Sequence, residues 1–176
     1  MDEPEDREFL DALFINNAGL IIVAPFLGTL FEKCQLLENN IFQNDESIYR
    51  AIHLLEYAAT GKVIESEQDL IIHKVLCGVD LSIPIDISII LTEQDKEIVN
   101  SLLFAITQQW TLLKQTPIEG LQTSFIQRGG KLEQEVEAYK LIVEQKAFDM
   151  LLDQIPWNIS NIKLSWMKKI LQVTWR

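Results

Sequence analysis

Apolar positions along this chain fall into runs of different period. The longest is Ile15 to Phe31, INNAGLIIVAPFLGTLF, and no charged residue occurs between Asp11 and Glu32. Exposing such a run forfeits about 25 cal/mol per Å² of apolar area, so protein, lipid or a partner must cover it. Asn16, Asn17, Gly19, Pro25 and Gly28 interrupt it. Ahead of it, Phe9, Ala12, Leu13 and Asn16 recur at helical spacing, which predicts a helix from near Arg7. Asn16-Asn17 breaks that helix or caps the next, because Asn favours turns and N-caps. Leu20 to Ala24 then reads as helical, with Pro25 kinking or restarting it. Phe26, Leu27, Leu30 and Phe31 carry a one-face stripe toward Cys34 and Leu37, and Asn39-Asn40 marks a loop.

Helical periods continue downstream. Asn44 to Ser47 starts a helix with Ile48, Ile52, Leu55 and Ala59 on one face, and Gly61 ends it. Ser66 to Asp69 starts another, closed by Gly78. Leu81, Ile83, Ile85, Ile87 and Ile89 alternate with polar residues, and Pro84 confines that run to an edge strand or an extended segment over the core. Thr92 to Asp95 caps the longest predicted helix, Glu93 to Lys114. Thr116-Pro117-Ile118-Glu119 opens one more, and Gly120 inside it predicts a close-passing backbone.

After Gly130 the period changes to two. Tyr139, Leu141 and Val143 read as a strand, Phe148 to Ile155 as helical, and Ile162 to Trp166 and Leu171 to Trp175 as strands pairing with each other or with the first. The expected class is α+β, mainly α: a compact bundle of four to six helices followed by a small antiparallel β element near the C-terminus. Residues 1–8, MDEPEDRE, read as an acidic disordered leader and 9–176 as a single domain.

Charge narrows the partners. Across 176 residues the net charge is −11, which disfavours a nucleic-acid footprint and attraction to an anionic membrane. Ala12 to Phe31 reaches the length of a membrane span, about 20 residues. Its Asn pair, glycines and proline, and the lack of a flanking Lys/Arg cluster, argue for a buried hairpin or a partner-facing surface instead. The first residues are not those of a signal peptide. Cys34 and Cys77 are too few for a disulfide framework, so a reducing compartment is expected.

Little in the sequence looks catalytic. His73 and Cys77 lie four apart on a predicted helix, the spacing of a dyad or half a zinc site. A structural zinc site wants four ligands, and only His53 and Cys34 remain to complete one. Glu133 with Glu135, and Asp149 with Asp153, read as solvated charge. No phosphate-cradling loop occurs, and no cofactor, metal ligand or catalytic residue is assigned. Trp157, Trp166 and Trp175 form either a recognition surface or sheet packing. The residues alone describe a non-enzymatic, mainly helical module; a soluble adaptor or chaperone-like domain binding an apolar partner helix fits them.

Several islands together add more. INNAGLIIVAPFLGTLFEKCQLL, RAIHLLEYAATG, HKVLCGVDLSIPI, EGLQTSFIQRGGKL and PWNISNIKLSWMKKILQVTW occur in this order. They resemble the domain shared by tape-measure proteins of contractile injection systems, the phage-tail-like particles of bacteria. The similarity runs from about Phe14 to Trp175, and Ala138-Tyr139 departs from it, since the family more often shows Gly-Trp there. The resemblance implies a structural role in the tail-tube lumen, with tube, spike or baseplate subunits as partners and possible self-association. It also implies assembly in the cytoplasm and then residence in the particle. Even fully helical, the chain would reach only about 260 Å at 1.5 Å per residue, so it is expected to be either the terminal anchoring domain alone or a short relative that does not itself measure.

On that reading, Ile15 to Phe31 is a Pro-kinked helical segment. It is expected to pack against the helices Ile48–Ala59 and Glu93–Lys114 and to expose one face to another subunit. Its candidate contact residues are Asn16, Asn17, Gly19, Leu20, Pro25, Phe26 and Phe31, joined by Trp157, Trp166 and Trp175.

Overall fold

In a computed structural model that describes residues 12–176, β1 (Leu13–Ile15) leads into a 3₁₀ helix, Ala18–Phe26, and then α1 (Leu27–Lys33). A hairpin of β2 (Leu37–Glu38) and β3 (Ile41–Phe42) follows, then α2 (Asp45–Thr60), α3 (Ile71–Leu76), α4 (Glu93–Gln109) and α5 (Ile118–Leu121). The chain closes with β4 (Gly130–Gln134), β5 (Ala138–Val143), a 3₁₀ helix at Asp149–Gln154, β6 (Asn161–Ile162) and β7 (Ile170–Thr174). The acidic leader and the start of the helix expected from Arg7 lie outside the described residues.

The β structure differs from the expected class. The five-stranded sheet has the order β1-β4-β5-β7-β6 and is central, not a small C-terminal addition. It is also mixed, because β5 and β7 run parallel with Ala138 opposite Ile170. That pairing needs a long crossover, which the Asp149–Gln154 helix and β6 supply. The fifth strand comes from the N-terminal region, where Leu13 pairs with Leu132 and Ile15 with Gly130. A three-residue strand is too short for its period to outweigh the helical spacing of Phe9, Ala12, Leu13 and Asn16.

Left-handed asparagines set two turns in the first third. Asn17 (φ 58°) turns the chain from β1 into the 3₁₀ helix, and Asn39 and Asn40 (φ 53° and 64°) form the two-residue turn between β2 and β3. Asn is among the residues that tolerate this conformation and the hairpin twist it imposes.

The 3₁₀ helix is the centre of the core. Every residue from Ala18 to Ala24 is buried, and the side chains among them are at most 1% exposed. Such helices seldom exceed four residues, since their side chains eclipse every third position. Here that eclipse sorts the side chains into stripes, Ala18–Ile21–Ala24 and Leu20–Val23 among them, which α1, α3, α4, β5, β6 and the segment Gln122–Ile126 all contact. The expected face toward another subunit is therefore absent over Ala18–Ala24, because this chain itself covers every side. Gly19 makes the closest approach: a Cβ there would lie 1.8 Å from the Phe125 carbonyl oxygen.

Both ends of α2 and the start of α4 follow their sequence signals, whereas α5 starts after Pro117 without a side-chain cap. The Asn44 side chain accepts from the Ser47 amide at 2.9 Å, and Gly61 (φ 70°) ends α2. Thr92 and Asp95 form a reciprocal capping box on α4. That helix ends at Gln109 rather than Lys114, since Trp110 leaves helical geometry (φ −87°, ψ 87°) to bury its ring and donate to the Leu151 carbonyl at 3.0 Å. The period-two run after Leu81 forms no strand. Asp80 accepts from the amide and hydroxyl of Ser82, and Asp86 does the same for Ser88, so local turns replace ladder bonding. Gly120 avoids a side chain, the Thr116 methyl 2.6 Å from its would-be Cβ, and not a passing backbone.

Candidate functional site

The sequence-selected residues divide between core and surface. Leu20 and Phe31 are fully buried, and Trp175 is 3% exposed. Asn16 is exposed, with its amide 3.4 Å from Asp69, and Pro25 is exposed where the 3₁₀ helix passes into α1. The indole N–H of Trp157 donates to the Ile22 carbonyl at 3.1 Å, and Phe26 meets the Trp157 ring edge-on at 5.0 Å. Trp166 donates to the Leu76 carbonyl at 2.8 Å and packs at a tilt against Phe31 and Phe42. The structure thus joins Phe31 with Trp166, and Phe26 with Trp157, while Trp175 belongs to a different cluster.

That cluster is centred on Arg128, which is fully buried. Its guanidinium donates to both oxygens of Asp149, at 2.9 and 2.6 Å, and to the carbonyls of Ser124 and Glu144. Asp149 also accepts from the Lys146 amide at 2.9 Å and the Trp175 indole at 3.2 Å. The rings of Phe125, Phe148 and Trp175 lie 5.2–5.5 Å from the guanidinium carbon. Burial pushes the Asp149 carboxyl up, but the bonds from Arg128, the Lys146 amide and Trp175 overcome it and hold the group below its ordinary value. Asp149 is therefore not the solvated carboxylate its spacing with Asp153 indicates; Asp153 is, and it pairs with Arg176 at 2.8 Å. Composition offered no signal for the hub, since an Arg before two glycines reads as a helix stop.

The remaining buried polar groups are tied to helices. Arg50 on α2 reaches Asp95 on α4 at 2.7 Å. Burial, aided by Asp95, pushes the nearby Cys34 thiol up to about 11. His53 bonds the Asp86 carbonyl at 2.9 Å. His73 is fully buried with Nε2 2.7 Å from Glu56, although the two are out of line for a hydrogen bond. Cys34 and Cys77 are both free and buried, and burial raises the Cys77 thiol strongly. Among the described residues no group of three or more His, Cys, Asp or Glu side chains could hold a metal ion.

Several clefts open on the surface, two of them with largely apolar linings. One, of about 450 Å³, runs between α1 and α4 over Phe26, Leu30, Ile98 and Leu102. The other, of about 330 Å³, lies where the start of α2, the end of α3 and the ends of β4 and β5 converge. Gly78 (φ 71°) builds its base: a Cβ there would come 2.4 Å from the Trp166 carbonyl, so only glycine lets α3 meet the turn before β7. Ile48, Val75, Val79 and Met167 give this cleft an apolar lining, and Asp45, Asp80, Lys168, Lys169, Gln134 and Tyr139 give it polar groups.

The described residues thus form an α+β body with a closed apolar core, a buried and fully bonded Arg128–Asp149 pair, and open clefts on its surface. The family model for contractile injection system tape measure proteins matches residues 2–175, and the chain belongs to that family. No curated protein and no solved structure matches it. Among the described residues no helix is long and apolar enough to cross a membrane.

Proposed function

We propose that this domain anchors a tape measure within the injection particle and does not itself set tube length. It would dock on tail tube, spike or baseplate subunits during cytoplasmic assembly and carry no enzymatic activity. The observation behind this reading is the fold's lack of reach. Its longest helix, α4, has 17 residues, about 25 Å at 1.5 Å per residue. A central sheet ties the N-terminal strand to the C-terminal ones, so the described body is a compact unit and not an extended rod.

The test is to insert a helical spacer at the exposed Asn39–Asn40 turn and to image the particles. Normal assembly with unchanged tube length supports anchoring. A tube that lengthens in proportion to the spacer shows that the domain measures, and sinks the proposal.

A further inference from the structure

The two edges of the five-stranded sheet are finished differently. In β6 the Ser160 carbonyl accepts from the Val173 amide, so the next residue, Asn161, points its backbone groups away from β7. The Asn161 amide lies 3.4 Å from the Asn158 side chain, which also accepts from Ser160, and this local turn closes the edge. At the opposite edge, the Glu144 amide donates to the Gly129 carbonyl and the Glu135 amide to the Ala138 carbonyl. By that alternation Lys131 and Glu133 of β4 bond β5, while Gly130 and Leu132 turn their backbone groups to Ile15 and Leu13 of β1. Phe14 is left with its N–H and C=O pointing outward, and neither has a hydrogen-bond partner among the described residues.

This edge is apolar on both faces. Phe14 is 85% exposed and shares the outer face with Lys131 and Ile142, and Leu13 on the opposite face is 37% exposed. Charged residues, prolines or a covering element ordinarily guard an edge strand. From Ala12 to Ala24 the chain has neither a charged residue nor a proline.

We propose that β1 pairs antiparallel with the β1 of a second copy of this chain, on a two-fold axis beside Phe14. An outward N–H and C=O on one strand residue call for an extended backbone, which selects a strand over a helix or a small ligand. A second copy brings an edge left open in the same way, so one contact satisfies both chains. With the axis at Phe14, each Phe14 amide donates to the other Phe14 carbonyl, and the two rings become a cross-strand pair. A two-fold contact sets residues against their own copies, and the seam suits it: Phe14 meets Phe14 and Ala12 meets Asn16, all uncharged. The contact is also closed. It uses β1 on both chains, and Asn158 caps the far edge of each sheet, so the product is a dimer and not a fibre. A three-residue strand is too short to bury the roughly 1,200 Å² of a stable interface, so the dimer is weak and reversible. Nothing in the pairing depends on the anchoring role.

The experiment is sedimentation velocity of the purified chain over a concentration series. Wild type is expected to shift reversibly from monomer toward dimer. Phe14→Pro removes only the outward N–H, because the β1–β4 bonds run through Leu13 and Ile15, and should weaken association about tenfold or more. Phe14→Thr keeps the N–H and the strand preference but loses the ring, and should weaken it several-fold with thermal unfolding unchanged; it decides the matter if Phe14→Pro folds poorly. Phe14→Cys should form an inter-chain disulfide on mild oxidation, since directly paired residues lie about 5.5 Å apart at Cα. Val136→Cys, similarly exposed at the β4–β5 turn, should cross-link far more slowly, and both native thiols are buried. A chain that stays monomeric at every concentration, equal association by wild type and Phe14→Thr, or cross-linking of Phe14→Cys no faster than of Val136→Cys overturns the proposal.

Discussion

Arg128 and Asp149 face each other through two parallel hydrogen bonds, Nη1 to Oδ2 at 2.9 Å and Nη2 to Oδ1 at 2.6 Å, with neither residue more than 1% exposed. Removing one partner leaves a buried charge without its counterion, which costs about 3–5 kcal/mol. Arg128→Met and Asp149→Leu should each lower the free energy of unfolding by that amount in urea titrations. The double variant should lose clearly less than the sum, because neither charge is then stranded. Additive losses would mean that the backbone bonds of Arg128 to Ser124 and Glu144, and not the ion pair, hold this region together.

The same carboxylate makes stability depend on acid. Asp149 is held below its ordinary value in the fold, so its contribution is present above the unfolded-state value of about 3.9 and is lost as pH falls through the lower folded value. Urea midpoints should therefore stay level from neutral pH to about 5 and then drop. Asp149→Asn should be less stable at neutral pH but show a shallower drop. Parallel curves for the two proteins would assign the acid sensitivity to other carboxylates, such as Asp80 and Asp86, whose serine partners also hold them low.

Local signals in the sequence were legible where the cause is local. Asn44 and Gly61 bracket α2, Thr92 starts α4, and the alternation of Tyr139, Leu141 and Val143 is β5, because a cap or a half-buried strand is decided within a few residues. Features decided by distant contacts were not. Three residues of β1 become a strand because Gly130 to Leu132 lie alongside them. The period-two pattern of Leu81 to Ile89 met a competing local bond, the aspartate-to-serine turn, that pattern alone does not weigh. Within the cleft, Lys168 and Tyr139 are 29 positions apart, and only the parallel β5–β7 pairing makes them neighbours of one cavity.

Two glycines of the apolar run make a controlled comparison. Gly19→Ala would put Cβ 1.8 Å from the Phe125 carbonyl oxygen, a contact with backbone on both sides that no rotamer change relieves. It should cost at least the 1–3 kcal/mol typical of overpacking. Gly28 in α1 has nothing within 4 Å of its would-be Cβ. Gly28→Ala should stabilise by about 0.5–1 kcal/mol through helix propensity. Thermal melts of the pair test the close approach directly: equal shifts would mean that the 3₁₀ helix does not press on Gln122–Ile126.

Thiol accessibility offers a probe of local opening. Burial and Asp95 raise Cys34 to about 11, and burial raises Cys77 further, so both should be almost wholly protonated at pH 8. Alkylation of the native protein at that pH should be far slower than in urea, where both approach the ordinary thiol value of about 8.5. Cys34, 9% exposed at the end of α1, should react before Cys77, which is 2% exposed. Rapid native labelling of Cys77 would show that α3 opens independently of the core.

Ile22 distinguishes core from docking surface in the central run. It is fully buried, and its carbonyl accepts from the Trp157 indole at 3.1 Å. Ile22→Asp places an unpaired carboxylate where no water reaches, so the product should be unfolded or aggregated by size-exclusion chromatography and lack a cooperative melt. Ile22→Val removes one methylene and should cost only about 0.5–1.5 kcal/mol, leaving a folded protein. Together the two variants separate burial from any role in assembly. An Ile22→Asp protein that stayed soluble and fully folded, yet no longer entered particles, would place this side chain at a subunit contact and contradict its full burial within this chain.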